Sequence, residues 1–198
     1  MRALVLLVLA CLAVAGEALS DSWPAAAVLG KASANGQYVV RVNPGKSMGD
    51  VSGYAGLPKG PYATAQWHRF DGKSYVKVAD QTLTNPIAPV DIEVTNRGLL
   101  VTLDNWHNLG IGYAVAIYGS HGDLVKKYTL KDLYSASDLK RIQVTTSSVH
   151  WRCEGLSSFL ESETELWVED SLGGRFVFNL ETGAFEYQRD GGTCQKRP

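Results

Sequence analysis

The chain has 198 residues, and its 19 basic and 20 acidic residues give a formal net charge of −1 at pH 7. Without an excess of lysine and arginine it has no basic field that would attract nucleic acid or anionic lipid, so no nucleic-acid partner is expected. The length is enough for one compact domain that buries about 70% of the surface that the unfolded chain exposes.

The first twenty residues have the pattern of a secretory signal peptide. Arg2 precedes an apolar run over residues 3–15, and small residues follow at Gly16, Ala18 and Ser20. This run is too short to cross a hydrocarbon core about 30 Å thick, so we expect cleavage after Gly16 or Ser20 rather than retention as an anchor. We therefore predict a secreted or periplasmic protein with no membrane span after signal cleavage.

After the signal peptide at 1–20, we predict an N-terminal lead-in at 21–34 and a single β-rich domain at 35–198. Short runs of β-branched and aromatic residues alternate with turn pairs, which favours consecutive antiparallel hairpins. The turn pairs are Asn35-Gly36, Asp71-Gly72, His121-Gly122, Gly173-Gly174 and Thr182-Gly183. The predicted strands are 37–42, 63–70, 74–78, 90–94, 99–104, 113–118, 124–129, 165–169, 175–179 and 184–188.

Two segments depart from the hairpin pattern. Repeated glycines and prolines between residues 43 and 61 exclude regular structure, so we predict a long surface loop that is either functional or disordered. Two capping boxes predict one short helix, of one or two turns, near residues 129–141. The capping boxes pair Thr129 with Asp132 and Ser135 with Asp138.

The cysteines predict one disulfide bond. Cys11 lies inside the apolar run, which leaves Cys153 and Cys194 as the thiols of the exported chain. Two cysteines in an oxidising compartment are expected to pair. The bond would close a loop of about 40 residues and stabilise the fold by about 4 kcal/mol.

Tryptophan–histidine pairs recur along the chain at intervals of 39 and about 44 residues. The pairs are Trp67-His68, Trp106-His107 and His150-Trp151. This interval is typical of one four-stranded propeller blade. The most distinctive motif is Asp104-Asn105-Trp106-His107 followed by Tyr113. The sequences of residues 35–40 and 180–185 are typical of blade hairpins.

On these motifs, the chain resembles the blade-type repeats of bacterial exported β-propeller-like proteins. The resemblance implies blade-like units at about 35–80, 87–130 and 145–188, and it implies no activity. The predicted fold class is mainly β, with antiparallel hairpin or blade-like repeats and one short helix. Because a closed ring needs four blades, a partial propeller, a twisted stack of sheets and a β-sandwich remain open.

The loop at 105–112 is the best candidate recognition surface. Trp106 could stack on a sugar ring or a peptide while the polar side chains around it form hydrogen bonds. The predicted ligand-binding residues are Asn105, Trp106, His107, Asn108 and Tyr113. The alternative is a packed connection in which Trp106 covers a sheet edge.

Histidines and carboxylates offer limited support for catalysis. His68 or His107, with a carboxylate such as Asp104 or Asp71, could serve as an acid–base pair. A metal site shared by His68, His107 and His150 is not favoured, because the reversed order of the third pair moves its histidine to the other face. No close-spaced ligand motif occurs, so we predict no metal and no cofactor.

These observations favour an exported binding or scaffolding protein that is not an enzyme, with a protein or a saccharide as its ligand. One alternative is a small secreted hydrolase with a histidine–carboxylate site. Another is a structural subunit that forms a homo-oligomer by pairing its open sheet edges.

Overall fold

A computed structural model describes residues 23–159 and 163–189 of the protein. The predicted signal peptide and Cys194 lie outside the described residues. Cleavage, export and the bond between Cys153 and Cys194 therefore stay predictions. None of the helices in the described ranges is long and apolar enough to span a membrane.

Twelve strands and two short helices follow one another along the described chain. The strands are β1 (Leu29–Ala32), β2 (Tyr38–Asn43), β3 (Thr64–Phe70), β4 (Tyr75–Thr82), β5 (Pro89–Val94), β6 (Leu100–Asn105), β7 (Val115–Tyr118), β8 (Leu124–Tyr128), β9 (Arg152–Phe159), β10 (Glu165–Asp170), β11 (Arg175–Asn179) and β12 (Phe185–Gln188). The helices are α1 (Leu130–Leu133) and α2 (Ala136–Leu139), and a 3₁₀ turn covers Met48–Asp50.

The strands form three antiparallel sheets of four strands, each paired in chain order. The first sheet is β1 to β4, the second is β5 to β8 and the third is β9 to β12. This confirms the predicted mainly β, antiparallel and blade-like class. Glycines of all five predicted turn pairs adopt the positive φ that tight turns require. They are Gly36, Gly72, Gly122, Gly173 and Gly183.

The second sheet lies between the other two, and its central strands are buried along their whole length. Successive side chains of a strand point to opposite faces. Leu100 and Tyr118 therefore pack against the first sheet. Val101 and Ile117, their neighbours in the chain, pack against the third sheet. Burial of both faces explains why β7, Val-Ala-Ile-Tyr, is almost continuously apolar and why β6 begins with Leu100 and Val101 in succession.

Polar side chains link the first strands of the three sheets. Lys31 on β1 forms an ion pair of 2.6 Å with Glu93 on β5. Glu93 also accepts a hydrogen bond from Ser157 on β9. Arg152, at the start of β9, forms an ion pair of 2.6 Å with Asp91 on β5. These contacts keep the three sheets in register along one side of the stack.

Helices α1 and α2 connect the second sheet to the third. The Thr129 backbone N–H and hydroxyl both donate to Asp132, and the Asp138 N–H donates to the Ser135 hydroxyl. The predicted capping box at Thr129 therefore forms, the Ser135 hydroxyl caps the next turn, and the segment makes two separate helical turns rather than one helix. The segment buries Leu130, Leu133 and Tyr134 in the core between the second and third sheets.

Two strands lie where none was predicted. β1 falls within the predicted lead-in at 21–34, so the first sheet begins at Leu29 rather than at residue 35. β9 also went unrecognised. Its sequence contains glycine and serine, and β1 has only four residues including a glycine, so neither has the β-branched and aromatic enrichment of a strand. Pairing with β2 and β10 supplies what their own sequences lack.

Candidate functional site

A cleft of about 400 Å³ opens between the loop that joins β2 to β3 and the loop that joins β6 to β7. Its volume lies in the range of small-ligand sites. Three of the five predicted ligand-binding residues line it, namely Asn105, Asn108 and Tyr113. Its other polar lining residues include Asp50, Tyr62 and Thr84.

The β2–β3 wall of the cleft is an ordered loop. The Ser47 hydroxyl donates to Asp50 and accepts from the Gly60 N–H. Close backbone contacts require glycine at two positions. A Cβ on Gly45 would lie 2.3 Å from the Pro86 carbonyl oxygen, and one on Gly49 would lie 2.2 Å from that of Leu57. The glycines that argued against regular structure in this segment therefore allow its backbone to pack closely against neighbouring backbone.

Asn108 joins the two walls. Its Oδ1 accepts a hydrogen bond of 2.7 Å from the Ser52 N–H, and its Nδ2 donates to the Ser52 carbonyl at 3.3 Å. Asn105 acts within its own loop, since its Nδ2 donates to the carbonyls of Ile111 and Tyr113. Both side chains are buried. The two predicted amides therefore hold the walls in place and have few groups left for a ligand.

The ionisable groups of the cleft contact one another. Lys59 forms an ion pair of 2.5 Å with Asp50, and its hydrogen bond lowers the pKa of that carboxyl. Burial, followed by the Asp50 charge, raises the pKa of Tyr62, so its hydroxyl stays protonated. Tyr113 packs its ring under the Lys127 ammonium group, 3.9 Å from the ring centroid. The cleft thus combines two tyrosines with one ionised carboxylate.

Trp106 and His107 do not line the cleft but lie beside it, in an aromatic cluster with Trp23 and Tyr54. The Trp106 ring meets Trp23 edge to face, with centroids 5.2 Å apart. His107 lies between Trp23, at 5.8 Å, and Tyr54, at 5.4 Å. The Trp106 Nε1 donates to the carbonyl of Pro24 at 2.9 Å. The residues predicted to stack on a ligand are therefore covered by the chain's own N-terminal segment.

The candidate catalytic residues are not brought together. Both carboxylate oxygens of Asp104 accept hydrogen bonds, from Gly110 and Trp151 on one oxygen and from Arg152 on the other. The buried Nδ1 of His107 has no hydrogen-bond partner among the described residues, and burial lowers the pKa of its imidazole. Asp104 consequently stabilises the stacked sheets and does not orient His107.

His68 and Asp71 lie in the first sheet. His68 is on β3, opposite Val39 and Lys77 of the neighbouring strands. Asp71 accepts backbone N–H bonds within its own turn, which lower the pKa of its carboxyl. Across the described ranges, no three histidine, cysteine or acidic side chains are grouped so that they could hold a metal ion.

Sequence reasoning missed Asp50, Tyr62 and Thr84. Tyr62 and Thr84 lie in loops next to predicted strands and belong to no sequence motif. Only folding brings them to the 105–113 loop. A usable signal was the Ser47-x-x-Asp50 spacing, which is typical of a capped turn and indicates an ordered loop.

No family model and no curated protein matches the chain. Among solved structures it is similar to the crystal structure of HIRA(644-1017), with a TM-score of 0.38 and 13% sequence identity. The match covers 84% of this chain and 54% of that one, so the chain spans about half the length of that structure. We base no functional argument on a likeness of this size.

Proposed function

We propose that the protein is an exported binding protein and that the cleft between the β2–β3 and β6–β7 loops is its ligand site. Export rests on the signal-peptide pattern and on the resemblance to exported blade-repeat proteins. The observation that carries the binding role is that both loops contribute a tyrosine to one cleft of about 400 Å³. These tyrosines are Tyr62 and Tyr113.

The chemistry of the cleft suits a saccharide unit. A sugar ring has an apolar face of C–H groups and a rim of hydroxyls, and a tyrosine ring packs on the first while its own hydroxyl bonds the second. The Tyr62 hydroxyl and the ionised Asp50 carboxylate interact with each other, and the lone pairs that remain on both groups are acceptors for sugar hydroxyls. Apolar side chains, among them Val51, Pro86 and Ile111, complete the lining.

The rigidity of the walls also supports binding. The Asn108–Ser52 hydrogen bonds fix one loop against the other before any ligand arrives. A site that is already ordered loses less conformational entropy when the ligand binds. The carboxylate and histidine groups considered for hydrolysis support catalysis less, because Asp104 already accepts hydrogen bonds on both oxygens and His107 packs between aromatic rings.

A glycan array followed by titration calorimetry with the best-binding oligosaccharide tests this function. We expect Tyr62→Ala and Tyr113→Ala each to weaken binding at least tenfold, because each removes one stacking surface. Tyr75→Ala is the matched control, since this tyrosine is 47% exposed on β4 and does not line the cleft. Absence of any glycan ligand, or unchanged affinity in both cleft variants, would contradict the proposal.

A second candidate, a structural subunit that pairs with another copy of itself, is favoured by the edge of the first sheet. β4 is exposed along nearly its whole length and carries Tyr75, Val76 and Val78, which are 47%, 42% and 42% exposed. Open edges with apolar side chains pair readily with other strands. Light scattering should then show a dimer that Val76→Lys converts to a monomer, and a monomeric wild type would exclude this role.

A further inference from the structure

The N-terminal segment at residues 23–28 contacts the protein mainly through its first two residues. It contains no helix or strand, and its last residue, Val28, is 50% exposed. Trp23 contacts Trp106 and His107 through its ring, and the Pro24 carbonyl accepts the Trp106 indole N–H at 2.9 Å. A segment held by so few contacts opens at low free-energy cost. We refer to residues 23–28 as the N-terminal strap.

The surface beneath the strap is built without it. The Trp106 backbone N–H donates to the carbonyl of Ala88, the residue before β5, which ties the β6–β7 loop to the start of the second sheet. His107 has a φ of 71° and packs its ring against Tyr54 of the other cleft loop. Asn108, the next residue, is hydrogen-bonded to Ser52. The backbone of residues 106–108 and the contact between His107 and Tyr54 therefore do not depend on the strap.

We propose that Trp106, His107 and Tyr54 form a peptide-binding site for an extended segment with a tryptophan followed by a proline. The chain's own Trp23 and Pro24 fill this site in the structure, and a peptide of the same kind from another chain takes their place in trans. The site adjoins the saccharide cleft but shares no lining residue with it.

The chemistry of the site explains this ligand class. The ligand tryptophan supplies a ring to Trp106 and His107, in the edge-to-face geometry that aromatic pairs prefer. Proline restricts its own φ and holds the residue before it extended, so little conformational entropy is lost on binding. Its carbonyl then accepts the indole N–H of Trp106, which is a donor that has no other partner among the described residues.

His107 adds a reason for exchange. Its Nδ1 is buried and lacks a hydrogen-bond partner when the strap is in place. An unsatisfied buried polar atom costs free energy, so the strap leaves one possible hydrogen bond to His107 unformed. A foreign peptide that offers a donor or acceptor at this nitrogen gains what the strap lacks.

The strap competes with any added peptide, because its effective concentration at the site is in the millimolar range. The test therefore uses the full chain with Trp23→Ala, which vacates the site. The probe is a synthetic peptide with the sequence of residues 21–28. Binding is followed by calorimetry and by the NMR signal of the Trp106 indole N–H.

We expect the Trp23→Ala protein to bind the peptide at least tenfold more tightly than the wild type, with a shift of the Trp106 indole signal. Pro24→Gly, which loosens the strap but keeps the Trp23 ring, should give an affinity between those of the wild type and Trp23→Ala. A peptide with alanine in place of its tryptophan should not bind. Tyr62→Ala, introduced beside Trp23→Ala, should leave peptide affinity unchanged, which separates this site from the saccharide cleft.

Three results would overturn the proposal. The first would be a Trp23→Ala protein that is folded by circular dichroism but does not bind the peptide. The second would be a wild type that binds the peptide as tightly as the variant, which would mean that the strap does not occupy the site. The third would be an unchanged affinity when Trp106→Phe, which removes the indole donor, is combined with Trp23→Ala.

Discussion

Asp104 is the penultimate residue of β6 and Asp170 is the last residue of β10, which are the second strands of their sheets. Both carboxylates are buried, yet they are stabilised in different ways. Asp104 on β6 is paired with a cation, the Arg152 guanidinium, at 2.6 Å. Asp170 on β10 is surrounded by neutral donors, namely two tyrosine hydroxyls and two backbone N–H groups. The Asp104 arrangement joins the second sheet to the third. The Asp170 arrangement holds the β10–β11 turn and β12 of the third sheet and attaches Tyr134, in the helical segment before that sheet, to it.

The difference shows what a buried carboxylate requires. Burying a charge is costly unless another charge or several hydrogen bonds replace its water shell. Asp104 meets this requirement through a residue 48 positions away, so its partner depends on how the sheets stack. Asp170 meets half of it within its own turn, where Leu172 and Gly174 donate, and half through tyrosines 17 and 36 positions away. The two sites therefore predict different responses to substitution.

Arg152→Met should have the largest effect. It leaves the Asp104 carboxylate buried without its cation and releases Asp91 at the same time, which should lower the free energy of unfolding by about 3–5 kcal/mol. Urea unfolding measures the loss. The double variant Arg152→Met/Asp104→Asn should recover part of it, because no unpaired buried charge remains. A single variant within 1 kcal/mol of the wild type would show that the pair does not join the sheets.

Asp170→Asn should have a smaller effect. The amide keeps the shape of the carboxylate but presents an NH₂ group to donors that need an acceptor, so the free energy of unfolding should fall by about 2 kcal/mol. No opposite charge is left behind, which is why the loss stays below that of Arg152→Met. The control is Asp80→Asn, an exposed carboxylate on β4 whose loss should cost about 0.5 kcal/mol or less.

The tyrosines around Asp170 predict sensitivity to alkaline pH. Burial, and then the Asp170 charge, raise the pKa of Tyr134 above its ordinary value of 10.0. Burial and the hydrogen bond to Asp170 raise the pKa of Tyr187 as well. Above pH 10.0 the unfolded chain loses these protons while the folded chain keeps them, so stability should fall as the pH rises.

Chemical unfolding between pH 8 and pH 11.5 measures this slope. The variant Tyr134→Phe should be destabilised by about 1 kcal/mol at neutral pH, since it loses one hydrogen bond. It should also lose stability less steeply than the wild type above pH 10.0, because one shifted group is gone. An unchanged slope in Tyr134→Phe/Tyr187→Phe would mean that other groups control the alkaline limit.

The smallest effect is expected at an exposed ion pair that also joins the second and third sheets. Arg97 and Glu181 are 2.6 Å apart, but their side chains are 48% and 54% exposed. Because water screens the pair, Arg97→Ala should change the free energy of unfolding by about 0.5 kcal/mol or less. A loss comparable with that of Arg152→Met would show that burial does not separate the two kinds of contact.

Much of the fold was predictable from the sequence because its signals are local. A turn glycine such as Gly72 and a capping pair such as Ser135 and Asp138 act within four residues. Ten of the twelve described strands overlap predicted ones. β1 and β9 were missed because their pairing partners, rather than their own residues, make them strands.

The candidate site was predicted only in part. Asn105, Asn108 and Tyr113 do line the cleft, as an amide-rich loop suggests. Their amides bind backbone groups in the structure, and ligand binding by these residues stays a prediction. Trp106 was predicted to be a stacking surface, but a ring and a carbonyl from the N-terminal strap already cover it.

Local residues set where hairpins and helical turns begin and end, since positive φ and capping hydrogen bonds depend on neighbouring positions. Which loops meet depends on the packing of the whole chain. Ser52 reaches Asn108 across 56 residues, and Pro24 reaches Trp106 across 82. Such contacts arise because burying both faces of the second sheet fixes how the three sheets stack, and no local pattern encodes that distance.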